Sequence, residues 1–589
     1  LVHVQESEAA RLPALCFYFE TMVPQLAILL SVFRMVVIPV QFQDRQFSCT
    51  EAELEQTVLL AQDYFNDQSG GETEFIFDLA PAVTLSKPCS YYGSNYSDRR
   101  DALLYEAVRE ACSLVSDRID FSLYDNDADG YVDNVFILAA GLSEADGASS
   151  DNIWPQQGKM SDFKASFSMD GKTVDSFAVS CELASDSGLN PRPAGIGVFC
   201  HELAHVFGLH DLYDTDGTGS GGESEGLWST SLMDEGCKNS DGNCPPNLNA
   251  LDLETLGAGT MEELATGDYR LEPIDRSRRY LKYETGIEGE YFLFECRAPE
   301  GWDAPLGTGG LLIYHIDKSS NPAGLSDYYG RELTASERWE YGQINCRPDR
   351  QCAEIVAAGS GTDGISGLFF PNGTRDSFGS DTEPSFRSWG GKASELALID
   401  ICRNDDGSVS FSVVRPVSIS GTTVFQDAAI VSWEVDDKLS ENQGFEIEWT
   451  DGSETGGVNV AGDARSYTIE GLNAQTPYKV TVRLRLSEHQ KFSADTSFIT
   501  KVYRKGTYPY IYLSGTSRYS DGSFMAGTKI PLRIFNASGV ARVDWFFDGT
   551  RIQTGSDGFY TVNRSGMLKA EIFYEDGTSE LIVKQIRIK

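Results

Sequence analysis

Three of the chain's six histidines fall within Cys200-His201-Glu202-Leu203-Ala204-His205-Val206-Phe207-Gly208-Leu209-His210-Asp211. On a helix, residues four apart share one face. His201 and His205 can therefore present both imidazoles to one metal ion, with Glu202 at the edge of the same site. Such a metal needs a third protein ligand and an open position for water, and a glycine lets the backbone leave the helix in a sharp turn. Gly208 supplies the turn, and spacing brings Asp211 to the third place. His-Glu-x-x-His also arises by accident, as ordinary helix histidines. The glycine and the carboxylate, each where a metal site requires it, argue for zinc with Glu202 as general base.

A second cluster suits a harder cation. Asp125, Asp127 and Asp129 alternate, Gly130 permits a tight turn, Tyr131 offers a carbonyl and Asp133 a further carboxylate. This is the oxygen-rich first half of a calcium loop, although Phe136 stands where an EF-hand needs Glu. A solvated acidic turn is the bland alternative. Asp214, Asp216 and Gly217 form a weaker candidate on the same logic.

The metal-binding helix is expected to begin near Ile196, and the residues before it predict a mixed α/β frame. Met35 to Phe42 reads as a strand. Glu51 to Asn66 has helical spacing through Leu54, Val58, Leu59, Ala61 and Phe65, and Ala102 to Val115 is a second helix. Val135 to Ala140 and Thr173 to Leu183 are apolar runs. Peptide substrates add as a strand to a sheet edge above such a metal, so Ser176 to Leu183 is expected to hold peptide by backbone hydrogen bonds.

The stretch HELAHVFGLHDLYD, followed by Trp228-Ser229-Thr230-Ser231-Leu232-Met233-Asp234, resembles the immune inhibitor A family of secreted bacterial metallopeptidases, a branch of the metzincins. The similarity runs from about Arg34 to about Arg415, through Arg34-Met35-Val36-Val37-Ile38-Pro39-Val40-Gln41-Phe42, the Tyr124 to Asp133 loop and Gly309-Gly310-Leu311-Leu312-Ile313-Tyr314-His315-Ile316-Asp317. The resemblance implies a zinc peptidase acting on proteins or peptides, an Asp as third ligand and Met233 as the floor beneath the metal. In the family a Pro usually precedes that Asp. Here His210 takes its place, which leaves His210 and Asp211 both open, with spacing favouring Asp211. Tyr213 follows closely, but its spacing fixes no geometry and it stays outside the catalytic set.

The resulting fold class is multidomain, an α/β zincin-type (metzincin-like) catalytic domain followed by all-β domains of β-sandwich type. Residues 1–34 form an N-terminal segment, read first as a packed segment with Cys16 buried and second as a pro-segment remnant in which Cys16 could cap the zinc. Residues 35–260 form the catalytic domain. Residues 261–415, with alternating runs broken by Gly, Asn and Pro, read as a β-rich domain packed on it, with His315 in a structural place. Residues 416–501 resemble a fibronectin type III module, with Trp433 in an early strand and Tyr478 placed for the corner hydrogen bond. Residues 502–589 read as an Ig-like sandwich.

A formal net charge of −40 over 589 residues speaks against nucleic acid or an anionic membrane as partner and favours cations and an extracellular setting. The longest uncharged run, Thr21 to Phe33, falls short of the about 20 residues needed to cross a membrane, so no transmembrane segment is expected. The chain begins with Leu rather than Met, which fits a removed signal peptide. The 12 cysteines suit secretion; Cys237 with Cys244 and Cys346 with Cys352 read as short disulfide-closed loops, against the alternative of buried thiols. The rival from another class is a cell-surface adhesin with an inactive peptidase-like domain, its C-terminal β modules binding glycan or a surface protein. An intact Glu202 argues against it.

Overall fold

The computed structural model describes residues 32–589 apart from 97–98, 187, 360, 487–489, 502–508, 514–518, 520–521 and 556. The N-terminal expectation, including Cys16 as a zinc cap, falls almost wholly outside the described residues. The chain forms two compact units. The first takes the described residues up to Ser377 with Ile399–Val413, and the second takes Phe378–Leu398 and Val414–Lys589.

The first unit is built on β1 (Val32–Gln41), whose sequence VFRMVVIPVQ is buried on both faces, as a central parallel strand requires. Helix α1 (Glu51–Ser69) follows. Thr50 Oγ1 accepts from Glu53 N while Glu53 Oε2 accepts from Thr50 N at 2.7 Å, a reciprocal cap, and Gly70 ends the helix at φ 62°. Then come β2 (Glu74–Leu79), α2 (Leu104–Val115), β3 (Val135–Leu142), β4 (Gln156–Lys159), β5 (Ser176–Asp186), β6 (Leu189–Pro193) and α3 (Gly197–Val206). The sheet order is β6-β5-β3-β1-β2, parallel from β5 to β2 and antiparallel between β5 and β6, while β4 also pairs with β5.

This order corrects one expectation. Ser176 to Leu183 is interior to the sheet, not an edge: β3 pairs along one side and β4 and β6 share the other. The alternating-free apolar run that suggested a strand is the signature of a strand buried on both faces, and neighbouring strands take most of its backbone on both sides. The edge position falls to β6.

Beyond α3 lie α4 (Ala250–Leu256) and a five-stranded sheet of β7 (Thr260–Glu263), β8 (Arg279–Ile287), β9 (Glu290–Arg297), β10 (Gly310–Asp317) and β11 (Ala353–Ile355). Between β10 and β11 the chain makes a small hairpin and helix α5 (Ala335–Glu340). One hydrophobic core joins this sheet to α3: Phe33, Phe199, Leu203 and Met233 cluster with Leu293, Tyr314, Trp339 and Phe369. His315 lies buried in the sheet between Glu290 and Glu354, at 2.9 and 3.4 Å, and stacks on Phe292.

In the second unit, a three-stranded and a four-stranded antiparallel sheet span Val417 to Ile499, with Trp433, Ile447 and Val482 buried. Tyr478 Oη accepts from Asn473 N at 3.0 Å, the expected corner bond. The last stretch contains a four-stranded sheet, Val540–Phe547 and Gly566–Tyr574 at its centre, over a core that includes Trp545 and Ile530.

The short disulfide loops are not present. Cys237, Cys244, Cys346 and Cys352 are free thiols. Their sulfurs are engaged or buried elsewhere: Cys244 Sγ lies 3.5 Å from Trp302 O, Cys346 Sγ lies 3.1 Å from Thr215 Oγ1, and Cys237 and Cys352 are packed in the core. No disulfide occurs among the described residues.

Candidate functional site

Helix α3 is pinned before it presents any side chain to the site. A Cβ on Gly197 would sit 1.7 Å from Cys237 O, so only glycine lets the first turn approach the 235–238 turn this closely. At the other end Phe207 leaves helical hydrogen bonding and Gly208, at φ 91°, reverses the chain towards Asp211.

His201 and His205 lie one turn apart with ring centroids 4.8 Å from each other. Each ring is oriented by a backbone carbonyl. His201 Nδ1 donates to Leu232 O at 3.0 Å and His205 Nδ1 donates to Leu209 O at 2.7 Å. With Nδ1 given to a carbonyl, Nε2 is the nitrogen that each ring turns towards Asp211, and it can bind a cation once its proton is lost. The two Nε2 atoms converge on Asp211 Oδ1, at 3.1 and 3.3 Å. That oxygen is buried and has no well-directed hydrogen bond. A buried carboxylate oxygen without a donor, facing two committed imidazoles, fits a shared cation, and one carboxylate with two imidazoles suits zinc.

His210 points elsewhere. Its ring packs edge-on against Trp339, 5.7 Å between centroids. Glu202 is buried beside the triad, and burial pushes its carboxyl up to about 7, against the pull of the His201 and His205 rings. Burial alone would lower the His201 imidazolium, but the Asp211 and Glu202 carboxylates outweigh it and hold it up to about 9. Asp211, which burial would raise, is held well below the usual carboxylate range by the same two rings.

Met233 is fully buried in the same core, and its carbonyl accepts from Leu212 N at 2.9 Å, tying the turn at 231–234 to the residue after Asp211. Asp234 accepts from Leu227 N and Glu235 N, at 2.6 and 2.7 Å, and so shapes that turn. Tyr213, which spacing could not place, has its ring centroid 6.4 Å from that of His201 and is partly exposed.

Of the five calcium candidates, the fold gathers Asp125, Asp127 and Asp129, with carboxylate oxygens within 4.8 Å of one another. The Asp125 side chain is buried; its Oδ2 pairs with Lys172 Nζ at 2.5 Å, while its Oδ1 has no partner. Tyr131 N donates to Asp129 Oδ1 at 2.8 Å, and Asp133 turns its Oδ2 to Asn126 N at 2.6 Å. Lys172 had no signal in the motif, because it arrives from a neighbouring strand. Asp214 and Asp216 group with Cys346.

Residues 38–253 match the family described as immune inhibitor A peptidase M6, catalytic domain, and residues 414–499 match the fibronectin type III domain. The pre-pro-metalloprotease PrtV of Vibrio cholerae serotype O1 (strain M66-2) is 29% identical over 217 residues, which covers 32% of this chain and 23% of that protein. Immune inhibitor A of Bacillus thuringiensis subsp. alesti is 26% identical over 188 residues, 28% of this chain and 27% of that protein. The chain thus spans about a quarter of the length of these curated relatives. Among solved structures, the fibronectin type III domain of the human collagen alpha-1(XX) chain is 21% identical and covers 16% of this chain and 84% of that one, with a TM-score of 0.14. Residues 38–253 are an immune inhibitor A peptidase M6 catalytic domain, a metallopeptidase domain, and residues 414–499 are a fibronectin type III domain.

Proposed function

We propose that this chain is a secreted, zinc-dependent endopeptidase that cleaves extracellular proteins. The observation that carries the reading is the convergence of His201 Nε2, His205 Nε2 and Asp211 Oδ1, with Glu202 buried beside them. Those three atoms would hold the zinc, which when bound makes water a nucleophile near neutral pH and polarises the scissile carbonyl. The chain's own part is proton handling and orientation. Glu202 takes the proton from the attacking water on its carboxylate and returns it to the leaving amine nitrogen. The carbonyls of Leu232 and Leu209 keep both rings turned with Nε2 inward. Secretion is supported by the net charge of −40 and by the prefix 'Pre-pro' in the name of the Vibrio relative.

The test is hydrolysis of an unfolded protein by the purified chain, before and after zinc removal by chelator, then with zinc restored. Zinc-reversible cleavage is expected; a zinc-replete chain that cleaves no substrate in a broad panel overturns the assignment. The Asp125-Asp127-Asp129 cluster is read as a calcium site that staples the turn before β3, supported by the unpartnered Asp125 Oδ1, with Lys172 displaced on binding. Calcium added to the chelated chain is expected to raise its melting temperature, and an unchanged value would remove that reading.

Asp211→Ala is expected to lose stoichiometric zinc while His210→Ala keeps it, counted by metal analysis of the purified variants. Zinc loss confined to the His210 variant would reverse the choice of third ligand.

A further inference from the structure

Asp211 leaves the helix through a flexible glycine turn, so something outside the helix must fix where its carboxylate points. Leu212, the next residue, is buried, and its backbone is held on both sides. Its N–H donates to Met233 O at 2.9 Å, and its carbonyl accepts from Asn345 Nδ2 at 2.7 Å. Asn345 is itself fully buried, and its Oδ1 accepts from Ala353 N, the first residue of β11, at 3.1 Å. One side chain therefore bridges the turn after Asp211 to the five-stranded sheet.

The platform that carries Asn345 is rigid for a visible reason. Arg338, buried on α5, spends its guanidinium on four carbonyls: Gln343, Ala323, Arg350 and Ile344, at 2.6 to 2.9 Å. Cys352 N closes the loop on Ile344 O at 3.1 Å. Two further bonds fasten the same chain segment farther from the metal ligands, Thr215 Oγ1 to Gly342 O at 2.9 Å and Gly226 N to Gln351 Oε1 at 2.8 Å.

We propose that Asn345 is a positioning residue for the third metal ligand: from outside the segment that matches the peptidase family, it fixes the backbone beside Asp211 and thereby sets metal affinity. The proposal rests on the reading of Asp211 as a ligand. Without the amide, the Leu212 carbonyl is buried with its donor gone, and the turn must shift to satisfy it. Groups that orient metal ligands from behind typically change affinity by about 10- to 100-fold when removed.

The experiment measures the zinc dissociation constant of the full chain by competition with a chromophoric chelator, together with the rate of zinc release. Asn345→Leu is expected to weaken zinc binding about 10- to 100-fold and to speed release, in protein whose circular dichroism matches the parent. Asn345→Gln, which keeps an amide donor on a longer arm, is expected to recover part of the loss. Thr215→Val, which removes the contacts to Gly342 O and Cys346 Sγ but leaves the Leu212 carbonyl bonded to Asn345, is expected to stay within about twofold. A folded Asn345→Leu chain that binds zinc like the parent overturns the proposal. If Asn345→Leu fails to fold, a folded Asn345→Gln chain with parental affinity and release rate overturns it equally, whereas weaker zinc in that variant supports it. A parent chain that binds no zinc overturns the ligand reading itself, which separates the two failures.

Discussion

Replacing Glu202 with Gln is expected to leave zinc bound and to lower kcat on a protein substrate by about 10²- to 10⁴-fold, the usual contribution of a positioned general base. The two side chains are nearly the same size, so the buried space beside His201 stays filled. The amide cannot accept a proton from water. Burial lifts the Glu202 carboxyl to about 7 in the metal-free chain, and a cation bound beside it would favour the carboxylate form that accepts the proton. Metal content and kcat must be read on the same sample. Parental turnover in a zinc-replete Glu202→Gln chain would eliminate Glu202 as the base, and zinc loss with turnover would assign it to metal retention instead.

The second large effect is on stability, away from the site. Arg297 is wholly buried in β9. Its Nε donates to Glu295 Oε1 at 2.7 Å, and its Nη1 donates to Asp303 Oδ1 at 2.8 Å and Asn247 O at 3.0 Å. Glu295 also receives Ala250 N at the start of α4 and the Tyr314 hydroxyl at 2.6 Å. Arg297→Met keeps most of the volume and removes the only cation of this cluster among the ion pairs of the described residues. Two carboxylates are then buried without a counter-charge, at a cost of about 3–5 kcal/mol. The expected result is a fall of that size in the unfolding free energy of the first unit under urea, with the transition of the second unit unmoved. An unchanged first transition would mean that the cluster contributes nothing net, as when all its members are replaced together by apolar residues.

What the sequence made legible follows from how local each feature is. His201, Glu202 and His205 are set by one turn of helix, and the turn at Gly208 brings Asp211 within reach of them, although contacts outside the helix fix its backbone. The strands Val32–Gln41 and Val135–Leu142 are apolar runs that can hardly be anything else. Sheet order is different. The residues of Ser176–Asp186 say that the strand is buried, but which strands flank it depends on crossovers, and the expected edge lies inside. Lys172 beside Asp125, the carbonyls that orient the histidines and Asn345 behind Leu212 were equally out of reach. Carbonyl acceptors are common to every residue type, and a lone Asn 133 residues from its partner leaves no periodic trace. The paired cysteines misled for the same reason: nearness in sequence suggested bridges, while the fold gives each sulfur other neighbours.

The shared core running from Phe33 to Phe369 has a consequence for how the molecule is made. As the chain leaves the ribosome, the metal-binding helix emerges well before the strands and the α5 platform that complete its surroundings. Until residue 369 has been synthesised, part of the apolar face behind that helix has no partner, and the turn after Asp211 has no Asn345 to hold it. The surroundings of that helix and of the turn after Asp211 are therefore complete only after most of the first unit has been made.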